Sequence, residues 1–116
     1  MGEGLRGRVR LKTYKVQTIN SARIGQLCLL PEFHPDHWDD VSPIIDEKIG
    51  HGFLTWDIDL RKLTLINSIM LGYFVELNGK LMSTRGSLRL ILKRDSKLLQ
   101  LIALSKIHLI IPIHEC

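Results

Sequence analysis

Phe53-Leu54-Thr55-Trp56-Asp57-Ile58 passes through residues 59–67 into Ser68-Ile69-Met70-Leu71-Gly72-Tyr73-Phe74-Val75-Glu76-Leu77, and this transition decides the fold. The first run is short, β-rich and bounded by turn residues, which predicts a strand. From Ser68 to Arg85 the period changes to that of a helix. Met70, Leu71, Phe74, Leu77, Leu81 and Met82 form one broad apolar face, and Gly86 is expected to end the helix as a left-handed cap residue.

Downstream of this helix, Ser87 to Leu92 alternates as a strand. Asp95 or Ser96 can cap a helix carrying Leu98, Leu101 and Ile102, and Leu109 to Ile113 reads as a terminal strand held at an edge by Pro112. Upstream, Trp38, Val41, Ile45 and Ile49 share a helical face. Ser42 followed by Pro43 is a helix-start signal, because proline costs about 3 kcal/mol in a helix interior but little at its first position. Gly50-His51-Gly52 closes that helix. Leu11, Tyr14, Val16 and Thr18 predict one strand, and Ile24 to Leu30 the next. The turn at Ile19-Asn20-Ser21 makes the pair a hairpin. The expected fold class is α/β, in the order β-β-α-β-α-β-α-β. Strands joined through helices pair in parallel, giving a mixed sheet covered by helices.

The 116 residues suit one domain, here 9–116, preceded by a Gly- and Arg-rich arm at 1–8 expected to be flexible. Hydrophobic residues make up 45% and aromatics only 6%, so the core must be aliphatic. The net charge of +4 leans on Arg6, Arg8, Arg10, Lys12 and Lys15. A basic arm alone would raise nucleic-acid binding, but no Lys/Arg run is interleaved with aromatics as a single-strand binder requires, so no nucleic-acid partner is expected. Cys28 lies in an apolar run and reads as a small core residue; Cys116 is terminal. Two such cysteines form no disulfide framework. With no signal core at Met1-Gly2-Glu3-Gly4 and no spanning apolar run, the expected location is cytoplasmic, without membrane insertion.

Three constellations carry possible chemistry. His34, Asp36 and His37 have ligand-type side chains, but their spacing departs from H-E-x-x-H and no third ligand follows; loop polarity is the better reading and no metal is expected. Asp57 and Asp59 flank Ile58 and so face the same way on a strand. One carboxylate closing the strand end and one exposed is the commoner arrangement than an acid–base pair. No G-x-G-x-x-G, P-loop or nucleophile–base motif is present, so neither a cofactor nor an enzyme is expected.

Residues 57–113 resemble the STAS domain family, of the bacterial anti-sigma-factor-antagonist type. Asp57-Ile58-Asp59-Leu60 is similar to the family's buried strand with an acidic end, and Asn67-Ser68-Ile69-Met70-Leu71-Gly72 to its D-S-x-G-L-G motif. Arg85-Gly86-Ser87-Leu88-Arg89-Leu90 resembles its following strand entry, and residues 104–113 its terminal segment. The resemblance implies a non-enzymatic regulatory protein that binds an anti-sigma factor, itself a serine kinase. Phosphorylation at Ser68 would break the contact and a phosphatase would restore it. Asn67 stands where the family has Asp, which leaves the serine fewer acidic neighbours for a kinase to read, and Met70 stands where it has Gly, which with Ile69 makes the helix start more apolar. The alternative is a scaffold or subunit of a stress-signalling complex or transporter ATPase that is not phosphorylated. The expected partner surface comprises the 31–38 loop, the 61–68 connector and the first helical turns, with His34, Asp36, Asn67, Ser68, Ile69 and Met70 as its residues. A monomer or weak dimer is expected.

Overall fold

The computed structural model describes residues 12–116; the expected arm at 1–8 and the strand residues Val9 and Leu11 lie outside them. The elements run β1 (Tyr14–Ile19), β2 (Ile24–Leu29), a 3-10 turn (Pro35–His37), α1 (Trp38–Gly50), β3 (Thr55–Asp59), α2 (Ser68–Ser83), β4 (Ser87–Leu92), α3 (Leu98–Ser105), a second 3-10 turn (Ile107–Leu109) and β5 (Ile113–Glu115). The five strands form one sheet in the order β1-β2-β3-β4-β5. β1 and β2 pair antiparallel through a turn in which Arg23 is left-handed (φ 54°), and the other pairs are parallel.

That unbroken strand order has a consequence for the layers. Each crossover steps to the next strand in the same direction, and crossovers share one hand, so the helices collect on one face of the sheet. Burial agrees. Leu27 and Leu29 of β2, Trp56 and Ile58 of β3, and Leu88, Leu90 and Leu92 of β4 form one cluster with Trp38, Val41 and Ile45 of α1, Phe74, Leu77 and Leu81 of α2, and Leu98 and Ile102 of α3. The helical cover is thus one-sided. The opposite face carries the aligned rows Gln17, Gln26, Asp57, Arg89 and Lys15, Cys28, Asp59, Ile91. Cys28 is therefore no core residue: alternation turns Leu27 and Leu29 inward and leaves Cys28 half-buried on the polar face.

Several expected boundaries shift for physical reasons. α1 begins at Trp38, ahead of Ser42, so Pro43 lies inside it. The preceding 3-10 turn, with Pro35 at its own first position, supplies the start signal instead, and burial of Trp38 and Val41 holds the extra turn. At the end of α2, Arg85 rather than Gly86 takes the left-handed conformation (φ 65°). The Gly86 N–H donates to Leu81 O at 2.6 Å and the Arg85 N–H to Met82 O at 3.1 Å, a Schellman closure. Gly86 is required for a different reason, since a Cβ there would stand 2.2 Å from the carbonyl oxygen of Leu54. The apolar run 109–113 is mostly turn. Left-handed Lys106 starts a 3-10 turn, Ile107 and Ile111 are buried, and only at Ile113 does the chain join β4.

Candidate functional site

β2 and β3 are parallel, so the segments that follow them leave the sheet at the same edge. The segment after β2 is tied down there. Leu30 N–H donates to Thr13 O at 2.9 Å, and the Thr13 hydroxyl lies 2.9 Å from His37 Nδ1. The histidines act as backbone caps. His34 Nδ1 accepts from the Asp36 N–H at 3.1 Å, and His37 Nδ1 accepts from the His34 N–H at 3.1 Å. His34 and Asp36 are exposed. Among the described residues no group of three or more His, Cys, Asp or Glu side chains is placed to hold a metal ion.

The segment after β3 begins with an ion pair. Asp59 Oδ1 accepts from the Arg61 N–H at 3.0 Å and from its Nε at 2.9 Å, and Arg61 Nη2 meets Oδ2 at 2.8 Å. Burial pushes the Asp59 carboxyl up, but hydrogen bonds from the side chain and backbone of Arg61, with its charge, outweigh that and hold it below its ordinary value. The same pair raises the Arg61 guanidinium further above its already high value. A depressed folded-state value contributes stability that is present above the ordinary carboxylate range and lost as pH falls through the folded value. Arg61→Ala is expected to move the Asp59 midpoint upward in a carboxyl NMR titration and to shift the onset of acid unfolding to higher pH. An unmoved midpoint would mean that the pair does not form in solution.

Asp57 is paired as well. It is buried on the polar face, where Arg89 from the neighbouring strand donates to it at 2.7 Å from Nε and 3.2 Å from Nη2. Neither carboxylate is thus the exposed one expected of the pair; each is clamped by an arginine.

From Leu63 onward, inward and outward positions alternate in short steps. Leu63, Ile66 and Met70 are buried, whereas Leu65 (81% exposed), Asn67, Ser68 and Ile69 (56%) face solvent. Met70 at 3% exposure is a core residue, which removes it from the expected partner surface; its place one turn into α2 points it at the sheet. Asn67 is the helix cap: its backbone is extended and its Oδ1 accepts the Met70 N–H at 2.9 Å. Ser68 is consequently the first helical residue, and its hydroxyl makes no hydrogen bond among the described residues. The asparagine that departs from the motif thus does the capping and leaves the serine hydroxyl free.

No family model and no curated relative matches the chain. Solved structures do. The NMR structure of the protein TM1081 is similar at a TM-score of 0.72 and 16% identity, covering 91% of this chain and 83% of that one. The crystal structure of the same Thermotoga maritima protein, described there as a candidate anti-sigma factor antagonist, gives 0.66 and 14%, covering 89% and 86%. The fold is STAS-like. On a STAS-like domain, the expected switch serine stands at an exposed helix start beside two exposed aliphatic side chains, Leu65 and Ile69. Leu65 escaped the sequence reading. Its signal was an excess of apolar residues at 63, 65, 66, 69 and 70, more than a one-sided segment can bury.

Proposed function

We propose that the chain is a regulatory binding protein of the anti-sigma-factor-antagonist kind, which holds a protein partner against the start of α2 and releases it when Ser68 is phosphorylated. The observation that carries this reading is the free Ser68 hydroxyl, exposed at the first helical position and spared from capping by Asn67. A phosphate there adds about −1.5 to −2 charge at the positive end of the helix, so the domain itself tolerates it. The partner, packed over Leu65 and Ile69, would meet that charge in a desolvated contact. Its expected class is an anti-sigma factor that is also a serine kinase, with a phosphatase acting in opposition. His34 and Asp36, exposed in the segment leaving the same sheet edge, extend the surface. An unphosphorylated scaffold or transporter-ATPase subunit is the second reading, favoured by the amide of Asn67 where a kinase would read an acid.

Leu65 and Ile69 test the surface directly. Because both project from the core, Leu65→Glu and Ile69→Glu are expected to shift the melting temperature little. Each is expected to weaken retention of the partner on the immobilised protein by about thirtyfold or more, the scale of truncating an interface anchor, about 2 kcal/mol. Undiminished retention by both variants would put the partner elsewhere.

A further inference from the structure

A concave feature lies at the same edge of the sheet, between the segment that follows β3 and the one that follows β4. It is a cleft of about 1000 Å³. Its apolar part is formed by buried Leu63 and Leu98 and by exposed Leu65. Its charged part comes from both segments: Arg61 and Lys62 on one side, Lys93 and Lys97 on the other, with Asp59 and Asp95. Asp59 is taken up by Arg61. Lys62, Lys93 and Lys97 form no ion pair among the described residues, and Asp95 offsets one of them at most.

We infer that this cleft binds a small amphipathic organic anion, an apolar body carrying a phosphate or carboxylate, between the Lys62 and Lys93/Lys97 sides. Three ammonium groups without an ion pair line the cleft from two loops and give it a net positive charge, which favours an anion there. A hydrophilic anion alone would leave Leu65 wet, and a neutral apolar molecule would leave the ammonium groups without a counter-charge. An apolar cleft with a few convergent polar groups is the ordinary form of a small-molecule site, and only a molecule with both properties satisfies both halves of this one. The inference does not rest on Ser68 or on any protein partner, and the purified protein alone tests it.

Octyl phosphate, below its micelle-forming concentration, is the probe. Calorimetry is expected to give one site, with amide NMR shifts concentrated at Leu65 and at residues 93–98. Inorganic phosphate and octyl glucoside, each carrying half of the chemistry, are expected to bind at least about tenfold more weakly. Replacing Lys93 and Lys97 together by Gln should weaken octyl phosphate by roughly fivefold or more, the upper range for exposed charge contacts, and raised salt should weaken it likewise. Lys48→Gln, on α1 outside the cleft, should leave it unchanged. Equal binding of octyl glucoside or inorganic phosphate, shifts centred elsewhere, no binding, or affinity indifferent to the double lysine substitution would each overturn the assignment.

Discussion

Replacing Ser68 by aspartate is expected to weaken partner binding by at least about thirtyfold while leaving the domain as stable as before, and replacing it by alanine is expected to change neither. The stability half of this result follows from the division of labour at the start of α2. Asn67 supplies the capping oxygen, so removing the Ser68 hydroxyl breaks no hydrogen bond and Ser68→Ala should stay within about 0.5 kcal/mol of the native protein. Aspartate at the first helical position meets the positive end of the helix, an interaction typically favourable by about 0.3–1 kcal/mol. Asn67→Ala is the structural control. It removes the cap and should cost about 1 kcal/mol of stability without adding a charge. The binding half follows from what a partner over Leu65 and Ile69 would do to that carboxylate. A charge left unpaired in a desolvated contact costs about 2–5 kcal/mol, and the lower figure is already about thirtyfold in affinity. Thermal melts and titration calorimetry against the captured partner separate the two halves. Equal affinities for Ser68→Ala and Ser68→Asp would leave the fold intact and end the switch reading.

How far the sequence foretold this arrangement depends on whether the determining interaction is local. The α2 helix was legible because its apolar face repeats within a few residues, and β3 and β4 because turn residues bracket them. Gly86 was correctly singled out but for the wrong cause: its role is set by the carbonyl of Leu54, which only the assembled sheet brings near. The Asp57–Arg89 pair was invisible for the same reason, since it joins residues 32 apart that the β3–β4 register makes neighbours. The segment 109–113 misled because a short apolar run serves a strand or a buried turn equally well. At the candidate site, the exposure of Ser68 and Ile69 was readable. The burial of Met70 followed from helical phase, and the capping by Asn67 from the preference of asparagine for that position; the motif resemblance drew attention to the serine instead.

The largest stability effect is expected where β2 and β3 meet, at Gly25 and Trp56. The two are register partners in the parallel pair and lie on the core face. Trp56 is fully buried, and its Nε1–H donates to Phe53 O at 2.7 Å, which fixes how the indole lies. In that position its ring occupies the space a side chain at 25 would need: a Cβ on Gly25 would stand 2.5 Å from Trp56 Cε2 and Cζ2. Trp56→Ala should cost about 3–5 kcal/mol, the usual toll of emptying an aromatic site. Gly25→Ala adds one methyl group to a filled space, and overpacking of this kind costs about 1–3 kcal/mol, occasionally more. Here the upper end is expected, because moving the indole aside strains its hydrogen bond to Phe53. The two costs share one volume and so should not add. With Trp56 already replaced by leucine the ring is gone, and alanine at 25 should fit with a penalty smaller by about 1–3 kcal/mol, the coupling typical of residues in contact. Urea unfolding of Gly25→Ala, Trp56→Leu and the double variant measures this coupling directly. Additive costs would mean that the indole does not lie over Gly25, and that the β2–β3 register rests on the leucines alone.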